Sequence, residues 1–428
     1  MTSNYRIQPF RALHFDPSRT ATLDRVVAPP YDLVDQKRQS ELYDRNPYNV
    51  IRLELNRASD PYVNAAATLE QWSKDGILVR SAKPAIYLYT QRFQHEGRAF
   101  VRTGLIARVK LEEFATGRIL PHEKTFPKAK EDRLRLLEAT RTNISSIFGL
   151  YPVKDAALSS LLDAVGKREP TLSATDDLGI ANEIRAIDNS DEVAVIQRVL
   201  EAPRILIADG HHRYETSLNY RRQQVQAGNS SADAPCNYTM MTIVAFDDPG
   251  LVVLPTHRVV RELPEAARAS FGVKSQQDFV SQEFSDKDQM LAALKAAGQG
   301  SLGVVLKNDR FFRLMRLRSP ASLAAAMPET PDSVRGLDVS ILHTLIFDRI
   351  FGIKADEVRK GGNIEYTIDA HGAVEQVLEG NADGAFLMNA PTIDDIDRVS
   401  GAGATMPEKS TYFFPKLITG LIMNPLED

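Results

Sequence analysis

Apolar and polar residues alternate with two different periods along this chain, and the changes of period mark its elements. Asn49 to Leu55 alternates with period two and predicts a strand. Tyr62 to Asp75 carries its apolar residues at helical spacing, with Trp72 on the inner face. Ala85 to Phe93 and Ala99 to Val109 are rich in β-branched and aromatic residues and flank His95-Glu96-Gly97-Arg98, which predicts a hairpin. Lys128 to Thr140 is charged and leucine-bearing, an amphipathic helix. Next come a strand at Glu183 to Ile187, a helix at Glu192 to Leu200, a strand at Arg204 to Ala208, a helix from Arg213 to Gln226 and a strand at Tyr238 to Phe246. Beyond Glu262, helices at Gln289 to Ala297, at Val339 to Phe351 and from Val374 mix with strands at Leu302 to Leu306, Arg310 to Leu317 and Ala385 to Met388.

This mixture predicts an α/β or α+β fold with mixed sheets. The polar stretch Arg168 to Asp177 reads as a loop or seam. The expected organisation is an N-terminal α/β region over 1–151, a phosphate-binding core over 152–261, and a C-terminal α/β region over 262–428 that contributes a closing tail. Net charge is −4, which argues against a nucleic-acid or membrane-surface role. Cys236 is the only cysteine, so no intrachain disulfide forms and a reducing compartment fits. The N-terminus lacks a signal core, and no run approaches the roughly 20 apolar residues needed to cross a bilayer. A cytoplasmic location is expected, and homo-oligomerisation stays open.

The densest candidate chemistry is Asp209-Gly-His-His-Arg213, at the end of an apolar run and the start of a helical one. First-turn amides lack intrahelical partners and the dipole there is positive, so such a corner suits an anion. Gly210 and His211 would cradle phosphate, and His212 and Arg213 would neutralise its charge. Asp209 is either a Mg²⁺ ligand or a general base; otherwise it merely caps the helix. Neighbouring histidines point about 100° apart on a helix and serve separate roles rather than one metal. Between two prolines lie His122, Glu123, Lys124 and Thr125; Glu123 or His122 can take a hydroxyl proton, and an exposed charged loop is the plain alternative. His122, Thr125, His257 and Asp32 are candidate substrate contacts, although the double proline before Tyr31-Asp32 by itself explains a rigid turn. Arg258 at the end of an apolar strand, with Lys409 and Lys416 in the tail, are candidate phosphate contacts on charge alone. The tail is not a Walker A loop, and Tyr412, Phe413 and Phe414 can equally anchor a C-terminal strand.

Ala28-Pro-Pro-Tyr-Asp32, His122-Glu123 with Thr125, Asp132-Arg-Leu134 with Ala139-Thr140, Ala208-Asp-Gly-His-His-Arg-Tyr-Glu-Thr216, Pro255-Thr-His-Arg258 and Met406-Pro-Glu-Lys-Ser-Thr-Tyr412 together resemble the family called domain of unknown function 1015. That name carries no biochemistry. Residues 180 to 226 also resemble the central motif of the ParB/sulfiredoxin superfamily, which sets a Gly-x-x-Arg turn against nucleotide phosphates. This likeness implies a ParB/sulfiredoxin-like core unit flanked by N- and C-terminal α/β regions. Sulfiredoxin chemistry is disfavoured, because His211 stands where its cysteine belongs. Partition-type activity lacks its basic recognition helix. The turn is most similar to that of free serine kinases, which implies a phosphotransferase using ATP or ADP and Mg²⁺ on a small hydroxyl compound, most simply free L-serine. Glu123 would receive the proton, and Asp209, His212 and Arg213 complete the catalytic set. The alternatives are a non-enzymatic nucleotide-binding regulator and a metal-dependent hydrolase using His122, Glu123, Asp209, His211 and His257.

Overall fold

The computed structural model describes residues 5–427 except 21, 126, 230, 355, 356 and 358–361, and leaves out the side chains of 127–129. Lys128 of the expected basic helix is therefore among the side chains not described. The chain forms two compact units. One comprises residues 1–121, 125–252 and 415–428; the other comprises 122–124 and 253–414. Residues 1–121 and 125–252 thus share one unit, and the last fourteen positions return to it.

The first unit is built on a nine-stranded mixed sheet. Its centre is the expected hairpin, Ile86–His95 with Arg98–Lys110, in antiparallel register down to His95 opposite Arg98. The two turn residues both have positive φ, 47° at Glu96 and 73° at Gly97. Such a turn matches the right-handed twist of the strands it joins. Tyr238–Ala245 pairs antiparallel with the hairpin and parallel with Ile147–Tyr151, which pairs antiparallel with Ile205–Asp209. The other side continues through Ala181–Ile187 to Leu172–Thr175. A strand thus occupies part of the polar stretch expected to be loop. The alternating Leu172 and Ala174 are buried and Ser173 and Thr175 exposed, the half-buried pattern of an edge. Helices Ser190–Leu200 and His211–Gln226 cover the core formed by Leu88, Leu105, Ile147, Ile205, Ile207, Tyr214 and Met241.

Asn49 to Leu55 is not a strand. Ile51–Glu54 is a single helical turn that buries Ile51, Leu53 and Glu54. The Asn49 carboxamide accepts from Ile51 N and donates to the carbonyls of Arg25 and Val27, so local side-chain bonding and burial override the period-two pattern. Pro61–Lys74 is the expected helix with Trp72 buried, and Pro127–Thr140 the expected second one.

The second unit has a six-stranded antiparallel sheet in the order Phe279–Phe284, Phe312–Leu317, Ser301–Leu306, Gly384–Met388, His257–Val260 and Ile364–Thr367. Lys287–Ala297 and Ala370–Leu378 pack on it through Met290, Leu294, Val374 and Val377. The helix expected from Val339 begins as an α-turn, Asp338–Ile341, and continues as a π-helix, Leu342–Phe351. No helix among the described residues is long and apolar enough to cross a membrane.

Candidate functional site

The corner at Asp209 is assembled by four segments of the first unit. Strand Ile205–Asp209 is buried until its last residue, and its pairing with Ile147–Tyr151 slips between Ile207 and Asp209. Such a bulge re-aims the side chain that follows it. Gly210 takes φ 92° and ψ 29°, and the helix His211–Gln226 starts there with no side-chain cap. A Cβ at 210 would lie 2.9–3.0 Å from three atoms of the Arg213 guanidinium group. The left-handed backbone favours glycine, and a Cβ here would press on the Arg213 guanidinium.

Arg213 donates to Asp209 Oδ2 at 3.1 Å and to the Ser146 carbonyl at 2.5 Å. Lys416 donates to Asp209 Oδ1 at 3.0 Å. Lys416 reaches this position because the buried Arg102 and Gln91 side chains donate to the Pro415 and Lys416 carbonyls. Burial opposes ionisation of Asp209, but Lys416 and Arg213 outweigh it and hold the carboxyl well below the usual range. Two cations thus meet the Asp209 carboxylate beside the positive end of a helix. That arrangement suits an anion. It does not suit a metal ion at Asp209, since both of its oxygens carry cations, and no group of three His, Cys, Asp or Glu side chains suited to a metal occurs among the described residues.

Behind Arg213 lies a buried polar layer that pattern reading missed. Arg133 bonds Glu54 at 3.2 Å and Asp132, and its guanidinium stacks 4.3 Å from the Tyr31 ring centroid. Burial pushes the Tyr31 hydroxyl up to about 12 against the pull of Arg213 and Arg133. A cavity of about 50 Å³, lined by Glu54, Arg133, Ser145 and Arg213 among others, separates these groups. Arg213 Nε and Glu54 Oε2 have no hydrogen-bond partner among the described residues. A space of this size has room for water but not for a nucleotide. The Pro-Pro-Tyr segment and the Asp132-Arg133 pair thus converge on Arg213, whereas Asp32 itself is exposed. Thr125 and Lys130 both donate to Glu215, at 2.7 and 2.6 Å, one turn beyond His211. His211 is buried and His212 half-buried.

The remaining candidates lie in the second unit. His122 is fully buried, bonded through Nε2 to the Thr411 hydroxyl at 2.9 Å, and its carbonyl accepts from Met406 N. Glu123 lies 4.0 Å from His122 Nε2. Arg258, fully buried, donates to the carbonyls of Thr256, Glu408 and Lys409. His257 Nδ1 accepts from Met388 N, and burial followed by the Arg258 charge lowers its pKa to about 4. The motifs around His122, Arg258 and Lys409 are therefore brought together, by bonds that organise the backbone of residues 405–411.

A model of the family described as protein of unknown function (DUF1015) matches residues 7–340. No curated protein matches the chain. Among solved structures, a free serine kinase in complex with AMP is similar with TM-score 0.34 and 12% identity, covering 74% of this chain and 92% of its own. A conserved hypothetical protein from Pyrococcus furiosus gives TM-score 0.33 and 13% identity over 74% and 95% of the two chains. SbnI with C-terminal truncation from Staphylococcus aureus gives 0.34 and 10% over 75% and 87%.

Proposed function

The chain belongs to the family of proteins of unknown function DUF1015, and from that premise we propose that it is a phosphotransferase that moves a phosphoryl group from a nucleotide to the hydroxyl of a small molecule. Free L-serine is the acceptor that the resemblance of the Asp-Gly-His-His-Arg turn implies. The observation that carries this reading is that Arg213 and Lys416 both reach the Asp209 carboxylate where a helix starts at Gly210. Phosphoryl transfer asks mainly for positioning and for charge neutralisation. Gly210 and His211 present the first turn of the helix to a phosphate. Lys416 and Arg213 supply fixed positive charge, and Asp209 holds the two cations in place. The nucleotide's magnesium would neutralise charge on its phosphates. His212 is the further proposed charge-neutralising group.

The test incubates full-length protein with ATP or ADP and L-serine and follows products by phosphorus NMR. Formation of O-phosphoserine is expected. Arg213→Ala and Lys416→Ala should each lower kcat/KM by about a hundredfold or more, the usual loss when a charge-stabilising contact is removed. Near-normal turnover in Arg213→Ala would remove that residue from the mechanism. Nucleotide binding without consumption would instead support a nucleotide-sensing regulator.

A further inference from the structure

The first unit also contains a cavity of about 410 Å³ between the helix Ala156–Gly166 and one face of the central hairpin. That size is in the range of small-molecule sites. Thr90 stands opposite Thr103 in the hairpin register, so both threonines reach the wall on the same face. Tyr151 ends its strand, Asp248 follows the strand Tyr238–Ala245, and both line the cavity as well. Thr90 and Tyr151 are each 4% exposed, and the surface they retain borders the cavity. Neither hydroxyl has a hydrogen-bond partner among the described residues. Burial pushes the Tyr151 hydroxyl up to about 12, and Asp248 and then Asp247 add to the shift, which places both carboxylates near it. Asp248 accepts from Gly250 N at 2.8 Å and from Thr103 N at 3.1 Å, which fixes the carboxylate. Burial raises its pKa to about 6, so it is mostly ionised near pH 7. Buried hydroxyls without partners are unfavourable, and a polar ligand would satisfy them.

Charge selects among ligands. Arg92 and Lys154 bring positive charge to the wall, but Arg92 lies 3.7 Å from Glu183 and Lys154 lies 2.9 Å from Asp247. Asp155 caps its helix by accepting from Leu158 N. Asp248 and the exposed Asp163 have no ion-pair partner among the described residues. An anion would be repelled by Asp248, and a neutral alcohol would leave that charge uncompensated. A metal ion finds no group of three suitable side chains among the described residues. An ammonium group has three donors for a carboxylate and hydroxyl oxygens. We propose that this cavity binds a small primary alkylamine, its ammonium held by Asp248, Thr90 and Tyr151 and its hydrocarbon stem along Leu158 and Leu162. No wall residue of the cavity takes part in the corner at Asp209, so the proposal does not rest on phosphotransfer there.

Calorimetric titration of the full chain without nucleotide tests it, with n-butylamine, putrescine and phenethylamine as probes. Butanol, butyrate and Mg²⁺ serve as neutral, anionic and inorganic controls. At least one amine should bind one to one with Kd of about 1 mM or tighter. Butanol and butyrate should bind at least about tenfold more weakly. Asp248→Asn keeps the shape and removes the charge, and should weaken that amine at least about tenfold. The double variant Thr90→Val with Tyr151→Phe removes only hydroxyls; it should melt no lower than the parent and bind the amine about threefold more weakly or worse. Arg213→Ala should bind the amine as the parent does even when it has lost turnover, which keeps this inference apart from the phosphotransfer reading. The proposal is overturned by absence of binding for all three amines. Butanol or butyrate binding as tightly as they do, displacement of the amine by Mg²⁺, or unchanged affinity in either variant would overturn it as well.

Discussion

At the scale of single residues, Gly210 is the position where backbone and side-chain demands coincide. Its φ of 92° is costly for any residue with a Cβ, and that Cβ would press on Arg213. Gly210→Ala should destabilise the protein by about 1–3 kcal/mol in denaturant melts and displace Arg213 from Asp209. Gly210→Asn separates the two causes, since asparagine tolerates positive φ but keeps the Cβ. Full stability and activity in the asparagine variant would show that the approach of Arg213 is immaterial. Asp338 shows the opposite relation between burial and charge. Its Oδ1 accepts from Gly300 N at 2.6 Å, and its Oδ2 has no hydrogen-bond partner among the described residues. Burial raises its pKa to about 7. The folded state keeps a proton that the unfolded chain releases near pH 4, so stability falls as pH rises from about 4 through 7. Asp338→Asn should therefore be more stable than the parent at pH 8, by up to about 4 kcal/mol, and equal to it near pH 4. Equal melting at pH 8 would refute the buried-charge account.

At the scale of elements, the long helices and the central hairpin were legible because many weak signals agree in each. The helix Ala156–Gly166 starts at Asp155, whose carboxylate accepts from Leu158 N at 2.9 Å. Asp155→Ala should cost about 1 kcal/mol, seen as a lowered denaturation midpoint with unchanged slope. No loss would mean that packing of Leu158 and Val165 alone sets this helix start. The short elements were not legible. Four residues at Ile51–Glu54 alternate as a strand would, and only the bonds of Asn49 and the burial of Glu54 against Arg133 make them a helical turn. The π-helix from Leu342 carries the same apolar spacing as an ordinary helix over so short a span, so its hydrogen-bond register left no trace in the pattern.

At the scale of the whole molecule, four buried groups pull stability in opposite directions. Asp248 and Asp338 are raised to about 6 and about 7, mainly by burial, so their ionisation destabilises the folded state as pH climbs from about 4. His257 and His343 are lowered to about 4 and about 3, again first by burial. The unfolded chain takes up their protons first, so stability falls as pH drops below about 6.5. The two effects offset each other between about pH 4 and 6.5, and a shallow pH profile is expected there. A double variant, Asp248→Asn with Asp338→Asn, should expose the histidine contribution as a rise in melting temperature over that window. A flat profile in the double variant would show that the histidines are not buried neutral.

The sequence by itself determined the class of fold, most long elements and the position of the glycine-bearing corner after an apolar strand. These follow from local periodicity and from turn chemistry, which act over a few neighbouring residues. Only the tertiary structure decided which distant groups meet. It set Lys416 beside Asp209 across 207 positions of sequence, put Tyr31, Glu54 and Arg133 behind Arg213, and tied His122 to Thr411. Those partners are chosen by burial, where an unpaired charge is too costly to persist, and burial is a property of the packed chain rather than of any segment.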